Sequence, residues 1–146
     1  DFEWLNSYAW YASFQESNGK YFAESHTCGR GLVSPTRKMH RILTNAPQGM
    51  EVDHINGNSL DNRKSNLRVC SKSENMRNRD TPVHNKCGYK GVHRNGKRWR
   101  ARITVNGTII ELGYHESPED AGRAYNLVAP KYHGEFAKLN TIKESK

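Results

Sequence analysis

The chain has little that would hold it in a membrane or a disulfide framework. None of its apolar stretches approaches the roughly 20 residues that a membrane helix needs, so no such helix is expected. Its three cysteines, Cys28, Cys70 and Cys87, are odd in number and form no CxxC pair. That argues against a disulfide scaffold and a Cys-rich zinc site, and for a reducing compartment. Apolar residues are scarce at 34%, so 146 residues can bury only modest cores, in one ordinary domain or two small ones. The start, Asp1-Phe2-Glu3, has neither a basic head nor an apolar run. No secretory leader is expected, a cytoplasmic location is, and with Met missing at the start a processed or truncated chain is expected too.

Acids are scarce too, and unevenly. Lys and Arg number 23 against 15 Asp and Glu, a net charge of +8. Residues 1–29 are acidic at −3, whereas residues 30–79 hold ten bases against four acids. Residues 86–102 carry seven bases and no acid. Two basic segments between near-neutral ones suggest a polyanionic partner, because phosphate contacts dominate nucleic-acid affinity. A merely soluble surface is the plainer reading of net charge alone.

What is present is turn chemistry. Asn-Gly occurs at 18–19, 56–57, 95–96 and 106–107, and this dipeptide tolerates the positive φ of two-residue hairpin turns. Residues 1–36 read as an aromatic, β-rich lead. There Tyr8, Trp10, Ala12 and Phe14 alternate onto one face, Asn18-Gly19 turns, and Lys20 to Ala23 return, a small hydrophobic sheet expected to supply core. Residues 37–79 read as strand (Met50 to Ile55), polar loop (Asn56 to Ser65), strand (Leu67 to Cys70) and helix. Ser71-Lys72-Ser73-Glu74 has the S-x-x-E form of a capping box at that helix start. Asp80-Thr81-Pro82 should end the helix, leaving 80–87 as a linker, 88–140 as a separate unit and 141–146 as a tail.

The last unit alternates with period two. Arg98, Arg100, Arg102 and Thr104 fall on one strand face, and Trp99, Ala101, Ile103 and Val105 on the other. A turn at Asn106-Gly107 predicts Ile103 opposite Ile110, Ala101 opposite Leu112, and Arg102 facing Glu111. A turn at Asn95-Gly96 sets Val92 near Trp99 and His93 near Arg98. Ser117 should cap a helix, with Pro118 first and Asp120 third. Its face of Ala121, Ala124, Tyr125 and Val128 would cover the apolar side of the sheet. The expected fold is α+β, ending in a three-stranded antiparallel sheet packed on one helix. Arginines in register make its outer face a candidate DNA contact, against the plain alternative of solvated charge.

Chemistry concentrates in the middle unit. Hydrolysing a phosphodiester needs a hard cation on oxygen ligands and a nearby imidazole to take a proton from water. Asp53-His54 at a strand end supplies carboxylate and imidazole on opposite sides of the backbone. Asn75, on the following helix, can return an amide oxygen, and Asn66 can tie down the loop between. Asn56, Asn58 and Asn62 read as ordinary turn residues.

VDHINGN at 52–58, DNRKSNLR at 61–68 and ENMRNR at 74–79 resemble the HNH nucleases of the homing-endonuclease type. The upstream MHRILTNAPQGM is similar to their lead-in segment. Residues 88–140 resemble the Apetala (ethylene-response-factor-like) DNA-binding domain through YKGVHRN, KRWRARI, ELGYHESPEDAGRAYN and HGEFAKLN. The pair implies a free-standing or intron-encoded homing endonuclease, often from a bacteriophage, acting in a bacterial or phage-infected cell. It implies a ββα-metal nuclease unit with His54 as general base, Asp53 and Asn75 as ligands of Mg²⁺ or Mn²⁺, and Asn66 as the structural Asn. The third position is Asn rather than His, an H-N-N variant.

In the second unit the resemblance maps base contact to Lys90, His93, Arg94, Arg102, Thr104 and Glu111. The plant pattern has arginines and tryptophans where His93, Thr104 and Glu111 stand, so its recognition sequence does not carry over. Pro130 is expected to interrupt the family's helix. Arg98 and Arg100 join the DNA-facing set by alternation, and Arg77 and Arg79 follow Asn75 as candidate phosphate contacts. The expectation is a divalent-metal-dependent endonuclease on double-stranded DNA, a monomer without an obligatory protein partner, nicking one strand because one unit supplies one cutting site. The alternatives are a DNA-binding regulator with a scaffold HNH unit, and a zinc module on His26, Cys28, Cys70 and Cys87.

Overall fold

A computed structural model describes residues 2–26, 36–81, 85 and 87–143. Cys28 and Pro82 lie outside these. The chain divides into two compact units, residues 1–72 and 73–146. It is a mixed α/β structure of small antiparallel sheets and few helices, in keeping with an HNH nuclease. No helix among the described residues is long and apolar enough to cross a membrane.

In the first unit a short helix α1 (Phe2–Leu5) precedes the hairpin β1 (Tyr11–Gln15) and β2 (Lys20–Ser25), and β3 (Arg37–Lys38) pairs with β2. The hairpin loop takes four residues, because Gln15 pairs with Lys20. The aromatics of this sheet do not supply core as the alternation suggests. Phe14 and Tyr21 stack across the hairpin, 5.0 Å between ring centres, and both stay about half exposed. Stacked on each other, they bury only part of their surface. Helix α2 (Met39–Thr44) follows, ending on Asn45 in the left-handed conformation. Then β4 (Glu51–His54) pairs with β5 (Leu67–Cys70), with Asp53 opposite Arg68 and His54 opposite Leu67.

The second unit takes in all but the first residue of α3 (Lys72–Asn78), which starts directly after Ser71. Its sheet is β6 (Val92–Asn95), β7 (Arg98–Val105) and β8 (Thr108–His115), backed by α4 (Pro118–His133). The Ser117 hydroxyl accepts from the Asp120 N–H at 3.1 Å, as its capping position predicts. Val92, Ala101, Ile103, Ala121, Tyr125 and Ala129 are buried between sheet and helix.

Three expectations need correction here. The first turn falls at Gly96-Lys97, so Val92 pairs with Ala101 and His93 with Arg100. This differs by two residues from a turn at Asn95-Gly96 and therefore leaves every side chain on its expected face. A bulge between Ala101 and Arg102 sets Ala101 opposite Gly113, not Leu112, while Arg102 still pairs with Glu111 and Ile103 with Ile110. Pro130 does not stop α4, which runs on to His133 and closes at Gly134. It removes one N–H near the helix end, where the loss is limited to a single bond.

Candidate functional site

The site in the first unit is built on the end of β4. Asp53 and His54 are both buried, at 5% and 7% exposure, and as neighbours on a strand they point to opposite faces. Asp53 meets its cross-strand partner: Arg68 Nε and Nη2 donate to Asp53 Oδ2 at 2.8 and 2.6 Å. On the other face, the His54 ring lies edge-on to His40, 5.2 Å between centres, and Phe22 lies 6.4 Å from it.

Asn66 organises the loop. Its Oδ1 accepts from the Asn56 N–H at 3.0 Å, while its Nδ2 donates to Asn56 Oδ1 at 3.0 Å and to the Asp61 carbonyl at 2.8 Å. Its own carbonyl accepts from the Ile55 N–H at 2.9 Å, next to His54. So one buried amide fixes both ends of the Ile55–Asp61 span, the tying role its place in the sequence suggests. Asp61 braces the loop outside: it accepts from Asn56 Nδ2 at 2.8 Å and Arg63 Nε at 2.8 Å, and the Arg63 bonds hold its carboxyl well below the usual range. Asn56 and Asn58 accept from backbone N–H groups two residues on, plain turn chemistry. Asn62 does more, with its Oδ1 3.1 Å from His54 Nε2.

Burial lowers the His54 imidazole below its ordinary value of 6.5, and Lys20 adds to this; the Asn62 bond, Asp53 and Asp61 oppose it. Burial beside His54, Lys38 and Arg41 takes His40 further, to about 3. Both rings are thus neutral near pH 7, and a neutral imidazole is the form that can accept a proton. Sequence reasoning missed His40, Phe22, Arg68 and Asn62. The pairing of Arg68 with Asp53 follows once the β4–β5 register is known; the others carry no local signal.

Asp53, His54 and Asn66 come together in this unit, whereas Asn75 lies on α3 in the second, half-buried. Among the described residues no three His, Cys, Asp or Glu side chains gather to hold a metal, and Cys28 of the zinc alternative is outside them. The ligands expected from the sequence, the Asp53 carboxylate and the Asn75 amide, would offer hard oxygens. One carboxylate with an amide oxygen suits Mg²⁺ or Mn²⁺, which keep waters and take substrate phosphates for their remaining positions.

In the second unit His93, Arg98 and Thr104 are exposed on the outer sheet face, with Arg100 and Arg102 partly so; Arg94, also exposed, pairs with Trp99 and lies on the opposite face, contrary to the expectation that groups it with His93. Glu111 ties up one of them. Its ion pair is with Arg100, whose Nε donates at 2.7 Å, although Arg102 is its register partner. Arg94 lies over the Trp99 ring at 5.5 Å. Burial, with Arg102 and Arg100, lowers His93. Lys90 is placed differently from its sequence expectation: its ammonium donates to the carbonyls of Arg77 and, at 2.7 Å, Arg79, closing the end of α3. Burial lowers it to about 8. Arg77 donates to Asn106 Oδ1 at 3.2 Å, and Arg79 is exposed.

A family model described as HNH endonuclease matches residues 45–77, the span from before β4 through most of α3. An uncharacterized HNH endonuclease, L560, of Acanthamoeba polyphaga mimivirus is 36% identical over 96 residues, 66% of this chain and 50% of that protein. Protein 3.8 of Escherichia phage T7 is 33% identical over 95 residues, 64% of this chain and 78% of that protein. The chain thus spans half the length of the mimivirus relative and over three-quarters of the phage one. It carries an HNH endonuclease domain and is homologous to these viral proteins. The family match ends before the sheet of the second unit, so the Apetala resemblance rests on sequence motifs alone.

Proposed function

We propose that the protein is a divalent-metal-dependent DNA endonuclease of the homing type, making a nick in double-stranded DNA. The observation that carries it is the buried Asp53-His54 pair at the end of β4, beside a loop tied by Asn66, inside the family-matched segment. His54 is the general base, and its neutral ring, fixed between His40, Phe22 and Asn62, suits that task. Asp53 and Asn75 would hold Mg²⁺ or Mn²⁺, which when bound supplies positive charge to the phosphate and leaving oxygen. The Apetala-like sheet supports binding: His93, Arg98, Arg100, Arg102 and Thr104 share one face and can meet phosphates and base edges, whereas Arg94 lies on the Trp99 face. Arg79, exposed beyond α3, adds a phosphate contact; Lys90 instead closes the end of α3, and Arg77 is engaged by Asn106 at the surface. A phage source fits the T7 relative, and a monomer acting in the cytoplasm of the host fits a single cutting site per chain.

The test is supercoiled plasmid with Mg²⁺ or Mn²⁺, beside His54→Ala, Asp53→Ala and an EDTA control. Wild type alone should give open circles. His54→Ala should abolish cutting and leave DNA affinity within a few-fold, because a base acts in the transition state. Cutting by His54→Ala, or Mg²⁺-dependent cutting by Asp53→Ala, refutes the assignments. Sequence-selective binding without cutting on the selected target would establish the scaffold regulator instead.

A further inference from the structure

His54 needs a partner that sets which ring nitrogen carries the proton. We propose that Asn62 is this positioning residue, its amide oxygen accepting the His54 Nε2–H so that Nδ1 is the nitrogen that takes the proton of the attacking water. The inference deepens the reading of His54 as a general base and rests on it.

Two bonds fix the direction of donation. Asn62 Oδ1 lies 3.1 Å from His54 Nε2, and Asn62 Nδ2 donates to the Leu60 carbonyl at 3.3 Å. A carbonyl can only accept, so the amide nitrogen belongs on the Leu60 side and the oxygen on the imidazole side. An oxygen facing Nε2 requires the proton on Nε2, and the in-plane lone pair of the neutral ring is then on Nδ1. Asn62 cannot swing away cheaply. Its backbone N–H also donates to the Leu60 carbonyl, at 3.1 Å, and Asn66 Nδ2 holds the preceding Asp61 carbonyl at 2.8 Å. The rings of His40 and Phe22 limit rotation of the imidazole from its sides. Hydrogen bond and ring contacts together select one tautomer and one orientation, which a loop asparagine serving only its own turn would not do.

The chemical consequence is simple. The water oxygen forms a bond to phosphorus as its proton passes to Nδ1, the bond from phosphorus to the leaving deoxyribose oxygen breaks, and that oxygen takes a proton from solvent. The ring becomes an imidazolium that still donates from Nε2 to Asn62. Because the donor is now charged, that bond strengthens as the proton arrives.

The experiment uses the full chain, ¹⁵N-labelled and held in EDTA, with Asn62→Leu and Asn62→Asp. In the wild type, long-range ¹H–¹⁵N spectra should show His54 as the Nε2–H tautomer with a slowly exchanging ring proton. Asn62→Leu should lose that protected proton, and Asn62→Asp, which keeps the acceptor, should retain it. With Mg²⁺ and saturating DNA, Asn62→Leu should lower kcat roughly 10- to 100-fold, less than loss of the base itself, with DNA affinity within about twofold. Asn62→Asp should restore most of the rate. An Nδ1–H tautomer in the wild type overturns the proposal without any variant. So does a ring proton equally protected in Asn62→Leu, or an unchanged kcat there. If no DNA is cut by the wild type, the nuclease reading fails while the spectra still decide the Asn62–His54 bond.

Discussion

Arg68→Ala removes the guanidinium that donates twice to Asp53 Oδ2, and the cost can be bounded from the surroundings. Exposed ion pairs contribute under about 1 kcal/mol, because water screens them and two long side chains must be ordered. This pair is not exposed: the Arg68 and Asp53 side chains keep 12% and 6% of their surface, directly opposite each other on the β4–β5 ladder. Taking one partner from a buried pair costs about 3–5 kcal/mol, a large part of the roughly 5–15 kcal/mol that holds an ordinary domain. Urea unfolding of the full chain, with hydrogen exchange read at the β4 and β5 amides, should show a loss in that range. A loss below about 1 kcal/mol would mean that water reaches the pair and that burial was overvalued. A second arm concerns the cation. Arg68 and a divalent metal would share one carboxylate, so excess Mg²⁺ should stabilise Arg68→Ala more than wild type; at a hundredfold excess over its own Kd the variant gains about 2.7 kcal/mol, and wild type at the same Mg²⁺ gains less. Equal stabilisation of the two proteins would refute that competition.

Acid should weaken the first unit. His40 is held at about 3 when folded but binds a proton below about 6.5 when unfolded, so the depressed folded value gives stability that is complete above 6.5 and lost as pH falls toward 3. The slope is up to about 1.4 kcal/mol per pH unit, and urea midpoints across that window should fall less steeply in His40→Phe; parallel slopes would count against it. Gly91→Ala should unsettle the second unit. Gly91 has φ +75°, and a Cβ there would stand 2.3 Å from Tyr125 Cδ2 and 2.5 Å from the Arg102 carbonyl oxygen. Strain and overpacking together should cost about 2–5 kcal/mol, and an unchanged Tm would be incompatible with the packing of α4 on the sheet. Glu111→Gln should release Arg100 for phosphate, tightening DNA binding and steepening its salt dependence by at most one contact, a log–log slope change of about 0.9. Arg100→Ala with Arg102→Ala should do the reverse; salt slopes that stay put would move DNA off this face.

What could be read from the sequence follows periodicity and turn chemistry. Period two over Arg98–Val105 separates the arginine face from the Trp99-Ala101-Ile103 face, and the structure keeps that division although one turn falls at Gly96-Lys97 and a bulge intervenes. The bulge shows where pattern fails: Glu111 stands opposite Arg102 yet pairs with Arg100, a choice made by side-chain reach. In the lead, alternation groups Phe14 with Tyr8, Trp10 and Ala12 but says nothing about whether another layer covers that face, and the pairing of Phe14 with Tyr21 comes from the strand register. At the site, Asp53-His54 is legible because two reactive groups sit together before a polar loop. Asn62 is not. Four asparagines, Asn56, Asn58, Asn62 and Asn66, lie between 56 and 66, so composition offers four equal candidates and only the fold tells a turn residue from a partner of His54.

The two units are built on different principles. In the second, the buried residues are mostly apolar, with Tyr125, Ile103 and Val92 at 2% exposure or less, so sheet and helix are held by area removed from water. In the first, Val52, Leu67 and Cys70 are outnumbered by Glu24, Ser25, His40, Asp53, His54, Ser59 and Asn66. Such an interior gains little from burial and must pair its polar atoms instead. Most are paired: Asp53 with Arg68, His54 with Asn62, Asn66 with the loop, Ser59 with the Tyr21 carbonyl. Ser25 Oγ and His40 Nδ1 have no hydrogen-bond partner among the described residues. Stability alone would favour replacing these groups with hydrocarbon. Around the end of β4, the polar His40, Asp53, His54 and Asn66 are the expected cost of holding a carboxylate and a neutral imidazole in fixed positions, as the proposed phosphodiester chemistry would require.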